Sequence, residues 1–99
     1  MNGIIRMRLK KQLRIKEMIK FIYSKKAKKS LEGYDYKTSM RIIKAIDKIP
    51  LGDIKRLVGN KVPVLFRLRV GKYRIIYMYE DEQTIKVIKI DTRGDIYKD

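Results

Sequence analysis

Three arginines lie close together in the segment FRLRVGKYRIIYMYE, which runs from residue 66 to residue 80. The segment is predicted to form two β-strands joined by the dipeptide GK, because a two-residue loop that begins with glycine suits a type II′ hairpin turn. Side chains alternate along a strand, so Arg67, Arg69 and Arg74 should share one face of the sheet. A guanidinium group can donate two parallel hydrogen bonds to phosphate oxygens, so this face could hold a phosphate.

The strand register predicts which of these side chains face one another. Arg69 and Arg74 should pair across the hairpin, where like charges destabilise a strand pair by a few tenths to about 1 kcal/mol. A four-residue loop at EDEQ would place Lys89 of the following strand opposite Arg74. The same loop would place Val87 opposite Ile76. We therefore expect Lys89 to join the arginines on a partly open surface with no acid nearby. A solvated face, whose long side chains splay apart and are screened by salt, is the simpler alternative.

The other face of the hairpin is apolar and aromatic, and it is predicted to pack against helices. Its residues are Phe66, Leu68, Val70, Tyr73, Ile75 and Tyr77. We therefore expect Tyr73 and Tyr77 to belong to the core rather than to a platform on which bases stack.

Two helices are predicted before the hairpin. The segment MIKFIYS alternates like a strand and ends at Ser24, whose hydroxyl can cap a helix over KKAKKSLEGY. Gly33 is expected to end this helix, and Asp35 to cap a second helix that Pro50 ends. The second helix has an apolar stripe that consists of Ile42, Ile43, Ile46 and Ile49.

The rest of the domain is predicted to be extended. The runs LGDIKRL, LFRLRV, YRIIYMY and TIKVIKI are rich in β-branched and aromatic residues and predict an antiparallel meander. The element order β-α-α-β-β-β-β predicts an α+β fold, in which two antiparallel helices cover one face of a mainly antiparallel sheet. This arrangement leaves the arginine-bearing face partly open.

The composition points to a polyanionic partner. The chain has 99 residues, with 26 Lys and Arg against 11 Asp and Glu, which gives a formal net charge of +15. A domain this basic repels itself unless it meets nucleic acid, an anionic membrane or an acidic protein. No apolar run approaches the roughly 20 residues of a membrane span.

The residue types that the chain lacks narrow its chemistry. Without Cys there is no disulfide and no thiolate, which fits a reducing cytoplasm. Without His the usual zinc ligand and the usual general base near neutral pH are missing. Asp91 and Asp95 are expected to be ordinary surface carboxylates rather than a metal pair. We therefore expect no metal and no cofactor.

Residues 1–17 carry six basic residues and one acid. Their apolar positions are too irregular to predict a helix. We expect a loose basic extension here, with a short helix that binds RNA or a partner as the alternative, and a single domain over residues 18–99.

Four segments carry a resemblance to a known family: IYSKKAKKSLE, GDIKRLVG at 52–59, FRLRVGKYRIIY at 66–77 and DTRGDIYK at 91–98. The hairpin and the C-terminal RGDIYK are the most specific of them. In these segments the chain resembles the RelE/ParE toxins of bacterial and archaeal type II toxin–antitoxin systems, on the RelE side. The resemblance covers residues 18–98.

The resemblance implies a small α/β protein that cleaves mRNA, usually in the ribosomal A site, and that an antitoxin neutralises. In this family the 2′-OH of the mRNA attacks the adjacent phosphate. The enzyme supplies cations and groups that move protons, without a metal.

The family's functional residues carry over by position. The catalytic residues fall on Arg67, Arg74, Arg93 and Tyr97. We assign RNA phosphate binding to Arg69, Lys89, Lys55 and Arg56. The chain departs from the pattern at Leu65, where some relatives have lysine, and at Thr92, where many have His. Because arginine is a poor general base, Tyr97 or Lys89 would have to serve.

Two other functions are consistent with the same residues. A toxin of the ParE type would bind DNA gyrase and cleave no RNA. A basic protein that binds RNA or ribosomes would explain the charge and would require nothing of Tyr97. Arg93 and Tyr97 also have simpler, non-catalytic interpretations. Arg93 would be a solvated charge in the C-terminal tail, and Tyr97 would pack on the sheet edge.

Overall fold

The computed structural model describes residues 19–59 and 62–92. Its elements are β1 (Lys20–Tyr23), α1 (Lys25–Gly33), α2 (Tyr36–Asp47), β2 (Asp53–Arg56), β3 (Phe66–Val70), β4 (Tyr73–Asp81) and β5 (Thr84–Thr92). The predicted element order and the α+β fold class are confirmed. The expected extension over residues 1–17, and the site residues Arg93 and Tyr97, lie outside the described residues.

The helix caps form as the sequence predicts. Ser24 Oγ accepts a hydrogen bond from the Ala27 amide at 3.0 Å and donates one to the Ile88 carbonyl at 2.6 Å. Asp35 Oδ1 accepts from the Thr38 amide at 2.8 Å. Each cap satisfies a backbone N–H that the first helical turn leaves without a partner. The Ser24 hydroxyl thus fixes the start of α1 against β5.

The five strands form one sheet in the order β1-β5-β4-β3-β2. The pairs β2–β3, β3–β4 and β4–β5 are antiparallel, whereas β1 runs parallel to β5. Helix α1 packs mainly on β5, and α2 contacts β3. The sheet is therefore covered on one face, and β1 and β2 are its edges.

The core lies between the helices and the covered face. Its buried residues are Ala27, Ile42, Ile46, Ile49, Leu68, Val70, Ile75, Tyr77, Ile85, Val87 and Ile90. Each fully buried large apolar side chain contributes about 1.5–3 kcal/mol relative to its exposed form. Tyr77 is 1% exposed and Tyr73 packs against this cluster, so the prediction that both belong to the core is confirmed.

The hairpin register is also confirmed. Arg69 lies opposite Arg74, Arg67 opposite Ile76, and the strands turn at Gly71, whose φ is 60°. This positive φ is what the first position of a type II′ turn requires, and glycine adopts it without strain.

The predicted register between β4 and β5 is wrong. Asp91, not Lys89, lies opposite Arg74, and Lys89 lies opposite Ile76. The turn is shorter than predicted, because Asp81 pairs with Thr84, and the ladder is irregular at two points. The net shift at the arginines is two residues, which leaves Lys89 on the predicted face.

The irregularity between Ile76 and Tyr77 changes the environment of one predicted surface residue. Val87 pairs with Tyr77 instead of Ile76 and is fully buried in the core. The extra residue on β5 is Ile88, whose carbonyl accepts from Ser24. A bulge inserts one residue into a strand and reverses the alternation beyond it, so Val87 does not join the open face.

None of the helices in the described part of the chain is both long and apolar enough to cross a bilayer.

Candidate functional site

A group of five cations lies around the arginines on the sheet face opposite the helices, and we call the surface that these five form the arginine face. They are Lys55 on β2, Arg67 and Arg69 on β3, Arg74 on β4, and Lys89 on β5. The register brings all five together because paired residues project to the same side of a sheet. The rows of the ladder give their neighbours in two lines across the strands, Lys55-Arg67-Ile76-Lys89 and Asp53-Arg69-Arg74-Asp91.

The expectation that no acid lies near these arginines is wrong. Asp53 Oδ1 accepts a hydrogen bond from Arg67 Nη2 at 3.1 Å. Asp91 Oδ2 lies 3.2 Å from Lys89 Nζ. The same two carboxylates are the cross-strand neighbours of Arg69 and Arg74. The sequence did not reveal them because β2 had no predicted register and the β5 register was shifted.

The two arginines assigned to catalysis in the described residues are more buried than a solvated face allows. Arg74 is 7% exposed, and the side chain of Arg67 is 12% exposed. Arg67 Nε is buried and makes no hydrogen bond to a described residue. Charged groups held in a low-dielectric setting interact more strongly than they do in water. A phosphate on this face would therefore meet guanidinium charges that water screens only weakly.

Arg56 does not belong to the arginine face. It pairs with Phe66, which lies on the helix-covered side of the sheet, whereas Lys55 pairs with Arg67. Successive residues of a strand point to opposite faces. Of the two β2 cations assigned to RNA binding, only Lys55 lies beside the arginines.

The strand tyrosines, which are candidates for proton transfer, lie on the opposite side of the sheet from the arginine face. The tyrosines of the described strands are Tyr23, Tyr73, Tyr77 and Tyr79, and their register places them on the helix-covered side. Burial, and secondarily the nearby Asp47, raises the pKa of Tyr23 to about 12. Burial, and secondarily Tyr79, raises the pKa of Tyr77 to about 12. None of these phenols reaches the arginine face.

Lys89 is engaged by a carboxylate rather than surrounded by cations. Its Nζ forms an ion pair with Asp91 Oδ2. Across the described residues, no three His, Cys, Asp or Glu side chains are grouped so that they could hold a metal ion.

Comparisons with known proteins agree on one family. A family profile described as the ParE toxin of the type II toxin–antitoxin system parDE matches residues 21–97. Toxin RelG of Mycobacterium tuberculosis is 32% identical over 71 residues, which are 64% of this chain and 82% of that protein.

Solved structures show the same fold. The archaeal RelE–RelB complex of Pyrococcus horikoshii matches with a TM-score of 0.63 and 25% identity, covering 78% of this chain and 97% of that one. The RelB–RelE antitoxin–toxin complex of Methanococcus jannaschii matches with a TM-score of 0.62 and 26% identity, covering 77% and 94%. The toxin–antitoxin complex RelBE2 of Mycobacterium tuberculosis is 21% identical, with a TM-score of 0.62 over 76% and 98% of the two chains, and it supports the fold alone.

Proposed function

Because the chain belongs to the ParE/RelE family of toxins of type II toxin–antitoxin systems, we propose that it is a metal-independent endoribonuclease that cleaves mRNA on the ribosome. The observation that carries this proposal is the arginine face, on which the buried Arg74 and the largely covered Arg67 lie among further cations. A scissile phosphodiester gains negative charge in its transition state. Charges fixed in advance around that position stabilise the transition state without reorganisation.

The chemistry proposed here is attack by the substrate itself. The 2′-oxygen of one nucleotide bonds to the adjacent phosphorus, and the bond from phosphorus to the 5′-oxygen of the next nucleotide breaks. The 2′-OH loses a proton and the leaving 5′-oxygen gains one. The products are a 2′,3′-cyclic phosphate and a 5′-OH.

Each site residue has a proposed role in this step. Arg67, Arg69 and Arg74 hold the phosphate through their guanidinium forks. Arg93 stabilises the charge that develops in the transition state, and Tyr97 transfers a proton or orients the group that does. Lys55 and Lys89 add positive charge at the two sides of the face.

The ribosome would supply orientation. When the 2′-OH is held in line with the leaving oxygen, the reacting atoms are already in the geometry of attack. Such placement can lower the activation barrier by as much as about 7–11 kcal/mol. This proposal fits a chain without His, in which strong general-base catalysis is not available from the usual residue.

An antitoxin is the proposed protein partner. The solved structures that match are RelE–RelB complexes. The arginine face combines cations with the half-buried Ile76 and Met78, so an acidic segment with apolar residues would complement both its charge and its apolar area. Co-expression with the neighbouring gene product should yield a tight complex. If Arg67, Arg74 and Arg93 were replaced together without changing its affinity or salt dependence, the interface would lie elsewhere.

The proposed function is tested by induced expression followed by mapping of mRNA 5′ ends. We expect new ends inside coding regions, and the same cleavage in a purified system with ribosomes. EDTA should not change the cleavage rate. Growth arrest without new mRNA ends would refute the nuclease proposal.

The description of the matching profile favours a second candidate, a ParE-type toxin that inhibits DNA gyrase. It would use the same fold and an antitoxin but would cleave no RNA. Inhibition of supercoiling by the purified protein, with intact mRNA in the induced cells, would establish this candidate instead.

A further inference from the structure

A cavity of about 440 Å³ lies between the second half of α2, the residues Leu51 and Gly52 that precede β2, and the end of β3. We call it the α2 cavity. Its cations are Arg41, Lys44 and Lys48, from α2 and its C-terminal cap, and Leu68 contributes to its apolar lining. Arg69 of β3 borders the cavity, but its side chain belongs to the arginine face. None of the described residues that line it is acidic.

The cations of α2 that line the cavity lie on one side of the helix. Arg41, Lys44 and Lys48 are three and four residues apart, so they follow one side of α2. Like charges at this spacing destabilise a helix. The helix dipole favours cations in the last turn, which accounts for Lys44 and the capping Lys48 but not for Arg41.

Arg41 connects this helix to the hairpin. A Cβ built on Gly71 would lie 3.0 Å from Arg41 Nη2 and 3.4 Å from its Cζ. The guanidinium therefore lies over Gly71, in the turn between β3 and β4. Two residues before this glycine, Arg69 lies opposite Arg74 on the arginine face.

We propose that the α2 cavity binds a second phosphate of the RNA chain, next to the scissile phosphate that the arginine face holds. The inference rests on the proposed function and extends it to a second subsite. The turn at Gly71 links the two sites, because Arg41 reaches this turn from the cavity and the opposed pair Arg69 and Arg74 lies just beyond it on the arginine face. A ligand that spans both cationic sites must carry negative charges at regular intervals. A polynucleotide does, because each of its nucleotides carries a phosphate. The three cations Arg41, Lys44 and Lys48, with no acid among the described lining residues, complement it.

The test measures binding of a single-stranded RNA oligonucleotide whose 2′ positions are all methylated, so that it cannot be cleaved. The variant combines Arg41→Gln, Lys44→Gln and Lys48→Gln. The matched control combines Lys25→Gln, Lys28→Gln and Lys29→Gln on α1, which removes the same charge from exposed positions outside the cavity. A second variant, Lys44→Gln with Lys48→Gln, keeps the approach of Arg41 to Gly71.

We expect the cavity variants to bind more weakly and to have a shallower dependence of log K on log salt. The slope should fall by about 0.7 for each RNA phosphate that the variant no longer neutralises, and the control should retain the wild-type slope. With ribosomes, the cavity variant should raise KM and leave kcat unchanged.

Equal effects in the cavity variant and the control, or no effect in either, would overturn the inference. An antitoxin that binds the cavity variant less well while RNA binding stays unchanged would assign the cavity to the protein partner and overturn it too. Because the probe cannot be cleaved, a wild-type protein that cleaves no mRNA refutes the proposed function without deciding this test.

Discussion

Arg69 and Arg74 lie directly opposite each other on neighbouring strands. The charges that offset this opposition come from the outer strands, since Asp53 is the partner of Arg69 on β2 and Asp91 the partner of Arg74 on β5. The row across the sheet thus has two cations between two carboxylates. Opposite charges across strands stabilise by about the amount that like charges destabilise, so the sheet tolerates an arginine pair that a ligand can use.

The stability of Arg74→Ala follows from this row. On sequence alone the change should be neutral or slightly stabilising, because it relieves the predicted opposition to Arg69 and Lys89. The structure adds a nearly buried side chain and an Asp91 that would lose its cross-strand cation. We expect the free energy of unfolding to fall by about 1 kcal/mol, measured by chemical denaturation. A rise in stability would show that the like-charge repulsion dominates.

The activity of the same variant should fall far more than its stability. Removing a charge that stabilises the transition state lowers the rate by about 10²–10³. Cleavage with ribosomes, measured on folded Arg74→Ala protein, should show this loss. Arg56→Ala is the matched control, because Arg56 faces the other side of the sheet. If both variants lost activity equally, net charge rather than the arginine face would be responsible.

Asp53 should act as a competitor for the RNA phosphate. Its carboxylate engages Arg67 at 3.1 Å, but its side chain is 59% exposed, and exposed ion pairs contribute only about 0.2–1 kcal/mol. We expect Asp53→Asn to change stability by less than about 1 kcal/mol and to tighten RNA binding. Titration of the uncleavable oligonucleotide would measure this. Weaker binding would mean that Asp53 chiefly orients Arg67.

Tyr77 should affect stability at high pH and leave cleavage unchanged. Its ring stacks on Phe66 with centroids 5.4 Å apart, and its pKa is raised from 10.0 to about 12. Above about pH 10 the unfolded chain loses the phenolic proton while the folded chain keeps it, so stability is lost as the pH rises through the folded pKa. Denaturation of Tyr77→Phe at about pH 9 and about pH 11 should show a smaller loss than the wild type. An equal loss would mean that other groups cause it.

Tyr97→Phe tests proton transfer apart from packing. The change keeps the ring and removes the hydroxyl. If Tyr97 moves or orients the proton, we expect a loss of about 10²–10⁴ in the rate of cleavage with ribosomes and relief of growth arrest. Tyr36→Phe is the matched control, because that tyrosine is 80% exposed on α2. Full toxicity of Tyr97→Phe would remove this residue from the mechanism.

The parts of the fold that the sequence predicted are those set by local chemistry. Ser24 and Asp35 cap helices through residues three positions away, and the glycine of a two-residue turn determines the register of the hairpin. These signals lie within a few residues of the structure they specify. The element order and the core face followed from them and from hydrophobic periodicity.

The parts that it did not predict depend on residues distant in the chain. The bulge at Ile88 lies where Ser24, 64 residues away, donates a hydrogen bond to the backbone. The pairing of Asp53 with Arg67 depends on the register of an edge strand separated from β3 by a long connection. No local sequence pattern encodes the bulge or the register of β2. The balance of cations and carboxylates at the site depends on both, so it could not be predicted.

The arginine face is proposed to cleave RNA through the substrate's own 2′-OH, and the chemistry of the product ends decides whether it does. Purified protein is given ribosomes programmed with mRNA, in parallel with an mRNA that carries a single 2′-deoxynucleotide at the cleaved position. We expect 2′,3′-cyclic phosphate and 5′-OH ends on the first mRNA and no cleavage at that position on the second, with or without EDTA. Cleavage of the 2′-deoxy mRNA, or an intact normal mRNA in the presence of toxic protein, would refute this mechanism.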